Sequence, residues 1–373
     1  MGRPVRIMIL VRGFGAGGAE RQLLTLLQNC HNENAVITVA CFYHQVWHAQ
    51  AEGHPNIRIV DLCKGGRYDI IGLFRRMVAL FNEFHPDVIY GYGGSAWLPA
   101  LLLGKLKRTK VVWGIRNSEV IPQYGDHFEV VSANIFRYAS RYVNGFIANS
   151  AAGARSYSSS GYPLKRITVI PNGIDARKFY RDAKQRDLVR SQWNVAPSTR
   201  LVGLVARADP LKEHATFLRA AALLKKSTDL QFACVGVADG NYTSRLQILA
   251  EDLGIAAHVK WIGYQANVVG AYNALDVNVL CSGTEGFPNS LCEAMACETP
   301  CVATDVGDCA EILRGLSPAI PFQDPVALAA GIEMMLNRDR SEIGTAMRAR
   351  VVEDYSVSTM VKKTISYFSN ISS

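Results

Sequence analysis

Long apolar runs are missing from this sequence of 373 residues. None reaches the roughly 20 residues that a membrane-spanning helix needs. Ile7–Val11 is too short for the apolar core of a signal peptide and reads as a first strand. Position 6 is arginine, so Met1-Gly2 lacks the serine or threonine of a myristoylation signal. Cysteine occurs nine times but never as Cys-x-x-Cys, and always at irregular spacing. That pattern excludes a disulfide framework and a thiolate zinc site, and a reducing cytoplasm is the expected compartment. There is no internal repeat, no low-complexity run, and no Asp-x-Asp near a strand end to hold a divalent metal.

Acidic charge is scarce in one half only. Residues 1–180 hold 21 Lys+Arg against 11 Asp+Glu, a net +10; residues 181–373 hold 19 against 21, a net −2. No nucleic-acid-binding motif accompanies this asymmetry, so nucleic acid is not expected as a partner. A phosphorylated acceptor or an anionic membrane face fits it. So does an ordinary solvated surface rich in lysine and arginine.

What the sequence does have is regular alternation. Short apolar runs at Val5–Val11, Ala35–Phe42, Ile57–Asp61, Asp87–Gly91, Lys110–Ile115, Gly145–Asn149 and Ile167–Ile170 read as strands. Amphipathic stretches such as Ala19–Cys30, Ile70–Phe84 and Val130–Tyr142 lie between them. After a polar connector the pattern repeats, with strands at Arg200–Val205, Gln231–Val237, Val259–Trp261, Val277–Cys281 and Pro300–Ala303. Length and alternation together predict an α/β chain with two doubly wound, Rossmann-like domains. The expected bounds are 1–176 and 199–356, with a linker at 177–198. Ligands in such sheets bind beyond the carboxyl ends of the strands, which places the site in a central cleft between the domains.

The segment Glu285-Gly286-Phe287-Pro288-Asn289-Ser290-Leu291-Cys292-Glu293 carries the most chemistry. Seven residues separate its two carboxylates, one on a glycine-containing loop and one inside a helix expected to start near Pro288. Proline suits the first turn, where its missing N–H is not needed. The free N–H groups and dipole at that helix start favour an anion such as a diphosphate. Carboxylates on either side can accept hydrogen bonds from sugar hydroxyls. The segment therefore reads as a holder for a sugar joined to a phosphate. An ordinary capped helix would explain the helix but not Glu285 or its loop.

Two further cations fit that reading. Arg207 follows a strand and Lys212 comes five residues later. An arginine fork and a lysine point charge can flank a diphosphate, although in isolation such a pair is more often surface charge. Gly13-Phe14-Gly15-Ala16-Gly17-Gly18 fits the dinucleotide-binding pattern G-x-G-x-x-G. That use also needs an acid at the end of the second strand, which instead ends Cys41-Phe42-Tyr43-His44. A nicotinamide cofactor is therefore not expected. Ala96–Leu103, followed by Lys105, Lys107, Arg108 and Lys110, could touch a membrane surface or could be a buried helix with a cationic end.

The Glu285–Glu293 segment closely resembles the Glu-x7-Glu motif of the retaining family 4 glycosyltransferases, which have the GT-B fold. The likeness continues through Cys297–Asp308, with Glu298 where the family usually has glycine. Gly17-Gly18-Ala19-Glu20-Arg21, Pro171-Asn172-Gly173-Ile174-Asp175, and Arg207 with Lys212 follow in the family's order. The resemblance implies a retaining transfer from a nucleoside-diphosphate sugar, UDP being the common base, to a hydroxyl acceptor. A lipid-linked or surface-polysaccharide intermediate is the acceptor it suggests, with peripheral attachment to the cytoplasmic membrane face as a candidate.

It also implies roles. Arg207, Lys212 and Glu285 would be catalytic, with no metal or other cofactor. Glu293 would bind the ribose, and Gly286, Phe287, Pro288, Asn289 and Ser290 the sugar and diphosphate. Gly263-Tyr264 resembles the base-binding loop, though Tyr264 reads equally as a loop aromatic covering the core. Gly17 and Gly18 would let backbone approach the ligand, and Glu20-Arg21 is otherwise a surface pair. On the acceptor side Arg116 stands where many members have histidine; it, Asn117, Glu119 and His127 are candidates, although Asp126-His127 also reads as a plain loop pair. Gly236 and Asp239-Gly240 read as a structural turn. The final helix, about 357–373, would pack back on the first domain. A nucleotide-sugar epimerase on the same fold, or a binding protein without activity, are the other readings.

Overall fold

The computed structural model describes residues 3–15, 17–31, 33–43, 55–66, 68–118, 127–225 and 229–372, with only the backbone of 127–130. The chain forms two compact units: residues 1–173 with 357–373, and residues 174–356.

The first unit contains β1 (Val5–Val11), α1 (Gly18–Asn29), β2 (Ala35–Cys41), β3 (Ile57–Asp61), α2 (Ile70–Phe84), β4 (Val88–Tyr92), α3 (Gly94–Lys107), β5 (Lys110–Ile115), α4 (His127–Ala139), β6 (Gly145–Ala148), α5 (Ala151–Ser159) and β7 (Ile167–Val169). Its parallel sheet has the order β3-β2-β1-β4-β5-β6-β7. Strands covered on both faces read as unbroken apolar runs, and β1 is buried at six of its seven positions. Helices α2, α3 and α5 share one core with Met8, Leu10 and Trp113; α1 shares the other with Ile7 and Ile9.

The second unit contains α6 (Ala183–Gln192), β8 (Arg200–Val205), α7 (His214–Leu224), β9 (Leu230–Val235), α8 (Asn241–Asp252), β10 (Val259–Ile262), α9 (Val268–Ala274), β11 (Val277–Leu280), α10 (Asn289–Ala296), β12 (Cys301–Thr304), α11 (Cys309–Leu313), β13 (Ala319–Ile320), α12 (Pro325–Leu336) and α13 (Arg340–Asp354). Its parallel sheet runs β10-β9-β8-β11-β12-β13. The last helix, α14 (Val357–Ser372), belongs to the first unit, where Met360, Val361, Ile365 and Phe368 join the core of α1 and β1.

Three expectations need correction. The stretch 177–198 is not a connector but part of the second unit. Its helix α6 is polar because its arginines are used inward. Arg186 and Arg190 reach Asp276 at 2.6 and 3.3 Å and bind the carbonyls that end α9, while Val189 and Trp193 join the core. Second, Pro288 precedes α10 rather than opening it. Third, His127 begins a helix rather than sitting in a loop. The apolar run 96–103 lies within α3, where Ala96, Trp97, Ala100, Leu101 and Leu103 face the core.

In each sheet the strand order reverses once, between β1 and β4 and between β8 and β11. Loops leaving neighbouring strands there run to opposite sides and open a crevice at the carboxyl edge. The residues of interest follow these strands.

Candidate functional site

Lys212 follows β8 and Glu285 follows β11, so the topology brings them together across the reversal. Lys212 lies on a short 3-10 turn, Pro210–Lys212, capped by the Asp209 carboxylate accepting from the Leu211 N–H at 2.9 Å. Its Nζ donates to Glu285 Oε1 at 2.6 Å, and Ser282 Oγ donates to the same oxygen at 2.8 Å. The Gly283 N–H binds the Leu211 carbonyl at 2.8 Å, tying one loop to the other. Thr304 Oγ1 holds the Ser282 carbonyl at 2.8 Å. Both charged side chains are mostly covered, 27% exposed for Lys212 and 14% for Glu285.

The loop after Glu285 is fixed from behind. Gly307 has φ +60°, and a Cβ there would fall well inside contact distance of the Glu285 carbonyl and 2.6 Å from that of Gly286. The Asp308 N–H donates to the Gly286 carbonyl at 3.2 Å. Phe287 is buried, its ring edge-on to Tyr355. Asn289 and Ser290 then open α10, whose eight residues carry Glu293 inward. Glu293 is only 7% exposed and accepts from the Tyr272 hydroxyl at 3.0 Å.

Arg207, also after β8, is 85% exposed and stands 3.8 Å from Asp209. A cavity of about 390 Å3 opens beside it, lined by Asp209, Gly236, Asp239, Gly240 and Asn241. Gly236 and Asp239-Gly240 are therefore cavity wall as well as turn. Tyr264, at the end of the edge strand β10, is 86% exposed and covers no core. Among the described residues no cluster of three or more His, Cys, Asp or Glu is placed to hold a metal ion.

Beneath Lys212, His214 is fully buried and neither ring nitrogen makes a hydrogen bond. Burial pushes its pKa down to about 4, outweighing the pull of Asp209, and Lys212 adds to the fall. The folded ring is therefore neutral, whereas in the unfolded chain it protonates near pH 6.5. Stability is full above pH 6.5 and is lost as pH falls toward about 4. The expected loss is on the order of 3 kcal/mol. Urea melts at pH 7 and pH 4.5 should show it, and His214→Leu should flatten the difference. An equal loss in the variant would assign the effect elsewhere.

The acceptor-side candidates lie in the first unit. Arg116 follows β5, donates from Nη2 to the Tyr90 hydroxyl, and rests over the Tyr92 ring at 4.3 Å. Burial raises the pKa of both tyrosines, so they remain neutral donors and acceptors. Arg116 Nε makes no hydrogen bond. Asn117 Oδ1 accepts from Tyr157 at 2.9 Å. A cavity of about 320 Å3 is lined by Gly93, Gly94, Gly114, Arg116, Asn117 and Ser132. Gly17 caps α1 at the carboxyl end of β1, and Gly18 is the first helical residue. Glu119 lies outside the described residues, as does the side chain of His127.

Several contributors escaped the sequence reading. Ser282, Tyr272 and Thr304 are too common in loops and cores to stand out, and Gly307 was noted only as part of a longer likeness. The strand reversal that pairs Lys212 with Glu285 depends on sheet order.

Two doubly wound units, with a lysine–carboxylate pair at the strand reversal of the second and a loop–helix segment beside it, define the architecture, and comparison with known proteins gives its family. The family described as Glycosyltransferase Family 4 matches residues 16–178, and Glycosyl transferases group 1 matches residues 185–352. The chain belongs to the family 4 glycosyltransferases of the GT-B fold. The putative glycosyltransferase EpsF of Bacillus subtilis is 27% identical over 180 residues, covering 48% of this chain and 47% of EpsF. The D-inositol 3-phosphate glycosyltransferase of Corynebacterium jeikeium is 35% identical over 150 residues, covering 38% of this chain and 36% of the relative. These matches span less than half the length of either relative. Anabaena HepE, solved with UDP, superposes with a TM-score of 0.84 at 21% identity, covering 98% of this chain and 100% of HepE. No described helix is long and apolar enough to cross a membrane.

Proposed function

We propose that this chain is a retaining glycosyltransferase that moves a sugar from UDP to a hydroxyl of a lipid-linked or surface-polysaccharide intermediate. The observation that supports it most is the Lys212–Glu285 pair, 2.6 Å apart, beside the N-terminus of α10. Each charge satisfies the other. A bound diphosphate gives Lys212 an anion of higher charge and releases Glu285 toward a sugar hydroxyl.

The donor then sits on the second unit. Glu293 receives ribose hydroxyls, Tyr264 of the Gly263-Tyr264 loop stacks on the base, and the N–H groups of Asn289 and Ser290 face the diphosphate. Arg207 closes over the phosphates from its exposed position. As the glycosidic bond breaks, negative charge grows on the departing oxygen. Lys212, Arg207 and the start of α10 stabilise that charge more than they stabilise the intact donor, which lowers the barrier. Two protein cations supply what a metal would otherwise supply, so the reaction needs none. The acceptor hydroxyl enters on the face the diphosphate leaves, and a diphosphate oxygen takes its proton. This route retains configuration without a side-chain nucleophile. Arg116 and Asn117 of the first unit hold the acceptor.

Calorimetric titration with UDP, GDP, ADP and NAD, with and without EDTA, tests this reading together with a transfer assay. One nucleotide, UDP, should bind, and EDTA should change neither its affinity nor the transfer rate. Glu293→Gln leaves the Tyr272 hydroxyl an acceptor but removes a charged one from the ribose. It should weaken UDP binding by roughly 10-fold or more, as charge-assisted hydrogen bonds do. Unchanged affinity would reject the ribose role, and NAD binding in place of UDP would reject the donor site altogether.

A further inference from the structure

A second cavity, of about 1000 Å3, lies in the first unit between α2 and α3. Its volume is at the upper end of ligand sites, and its walls are almost wholly hydrocarbon. From α2 come Ile70, Ile71 and Phe74; from α3 come Leu98, Leu102 and Leu106. Four of these are strongly exposed: Ile70 68%, Ile71 72%, Leu102 59% and Leu106 59%. An exposed apolar concavity of this kind marks a binding surface.

The groove has polarity. Both helices begin at the carboxyl edge of the sheet, because α2 follows β3 and α3 follows β4. At that end stand Arg12, just after β1, and Lys64, after β3. Lys64 is held in place by Tyr43, whose hydroxyl accepts from its Nζ at 3.2 Å. Arg75 lies one turn further along α2. The opposite end is lined by Met77 and Leu106, with the Lys107 charge beyond it taken up by Asn82 at 2.6 Å. A ligand matching this layout has an anionic head at the sheet edge and a hydrocarbon tail along the helices. Arg116 follows β5 on the same edge.

The neighbouring surface suits a lipid. On α4, Val131, Ile135 and Tyr138 are exposed and fall on one face by their spacing. Arg141 lies 5.6 Å from the Tyr138 ring, and Lys105 of α3 lies 5.3 Å from the Tyr142 ring. Tyrosines beside lysine and arginine are the mixture that settles at a lipid headgroup layer. A second copy of the chain is a poorer occupant. A two-fold contact would gather the cations of both copies into one interface with no carboxylate lining the groove to offset them.

We infer that the groove between α2 and α3 holds the hydrocarbon chain of a phosphate-bearing lipid, with the phosphate at Arg12 and Lys64 and the chain along Ile71, Phe74 and Leu102. This inference rests on the first unit being the acceptor side. It narrows the acceptor class to one carried on a lipid phosphate.

Dodecyl phosphate, titrated below its micelle concentration into the full chain, is the probe. It should bind once per chain. Inorganic phosphate and dodecyl maltoside, which share only the head charge or only the tail, should bind at least 10-fold more weakly. Ile71→Asp with Leu102→Asp should lower dodecyl phosphate affinity at least 10-fold. Both side chains are exposed, so the fold should survive, and UDP titration together with circular dichroism checks that it does. Arg12→Glu should weaken dodecyl phosphate but not dodecyl maltoside. The same variants should lose flotation with phosphatidylglycerol vesicles.

No binding of dodecyl phosphate, equal binding of inorganic phosphate, or equal binding by the double variant would overturn the groove. So would a dimer in sedimentation that Leu102→Asp dissolves without any lipid binding. Because the probe carries no nucleotide, loss of UDP binding with the groove intact would sink the donor reading alone. The reverse result would sink the groove alone.

Discussion

Lys212→Ala is expected to lower the turnover of sugar transfer by roughly 100-fold or more, the usual loss when one charge partner of a transition state is removed. The structure gives this prediction a direction as well as a size. Lys212 stands 2.6 Å from Glu285 and close to the start of α10, where a diphosphate would build up charge as the sugar leaves. The variant keeps Ser282 on Glu285, and the loop should remain folded. UDP affinity should therefore fall less than turnover, because the lysine acts mainly as the bond to the sugar breaks. Turnover and UDP affinity measured together check this. Equal losses in both would make Lys212 a plain binding residue, and wild-type turnover would remove it from the mechanism. Arg207→Ala should act in the same sense and by a similar factor. Its guanidinium, 85% exposed, has to be gathered onto the phosphates first, so more of its effect should appear at low donor concentration.

Much of the fold was legible because parallel strands buried on both faces leave a simple trace. Val5–Val11, Lys110–Ile115 and Arg200–Val205 are largely apolar runs, and each is a strand over that same span. The two-residue strand β13 left no such trace, since Ala319-Ile320 is too short for any period. The helical character of α6 was expected, but its place was not. Its charge suggested a connector, yet Arg190 is 3% exposed, with its guanidinium spread over Asp276 and the carbonyls of Ala274, Ala196 and Thr199. A buried arginine that caps backbone carbonyls cannot be told from a surface arginine by type alone.

Of the candidate site, the charged residues were legible and their supports were not. Glu285 and Glu293 stood out by their spacing across a loop and a helix start, and Lys212 only by its place before them in the family's order. Which pair meets depends on sheet order. The same strands could be ordered so that β8 and β11 were far apart; here they are neighbours, and Lys212 reaches Glu285. Arg116 shows the opposite limit. Its position after β5 made it an acceptor-side candidate, but nothing local in the sequence marks Tyr90 and Tyr92 as taking up one face and one nitrogen of the guanidinium.

Gly307→Val should abolish transfer and cost the second unit several kcal/mol, because two penalties fall on one residue. A β-branched side chain at φ +60° is a genuine backbone outlier, of order 1–3 kcal/mol. Its Cβ must also displace the carbonyls of Glu285 and Gly286, which are backbone and cannot swing aside. The loop can yield only by moving Glu285 away from Lys212, and a shift of about 1 Å at a reacting group can cost 100-fold in rate. Two other positions separate these penalties. Glu213 and Glu298 hold φ of +52° and +56° with full side chains, so a left-handed backbone alone is tolerated in this unit. Urea melts and transfer assays of Gly307→Ala and Gly307→Val measure what the contact adds. If the loop is as closely backed as the structure shows, Gly307→Ala should already lose most activity, since its Cβ meets the same two carbonyls. A Gly307→Ala variant with parental stability and turnover would mean that the Glu285 loop is free to move, and that the Lys212–Glu285 pair is not fixed in advance of the donor.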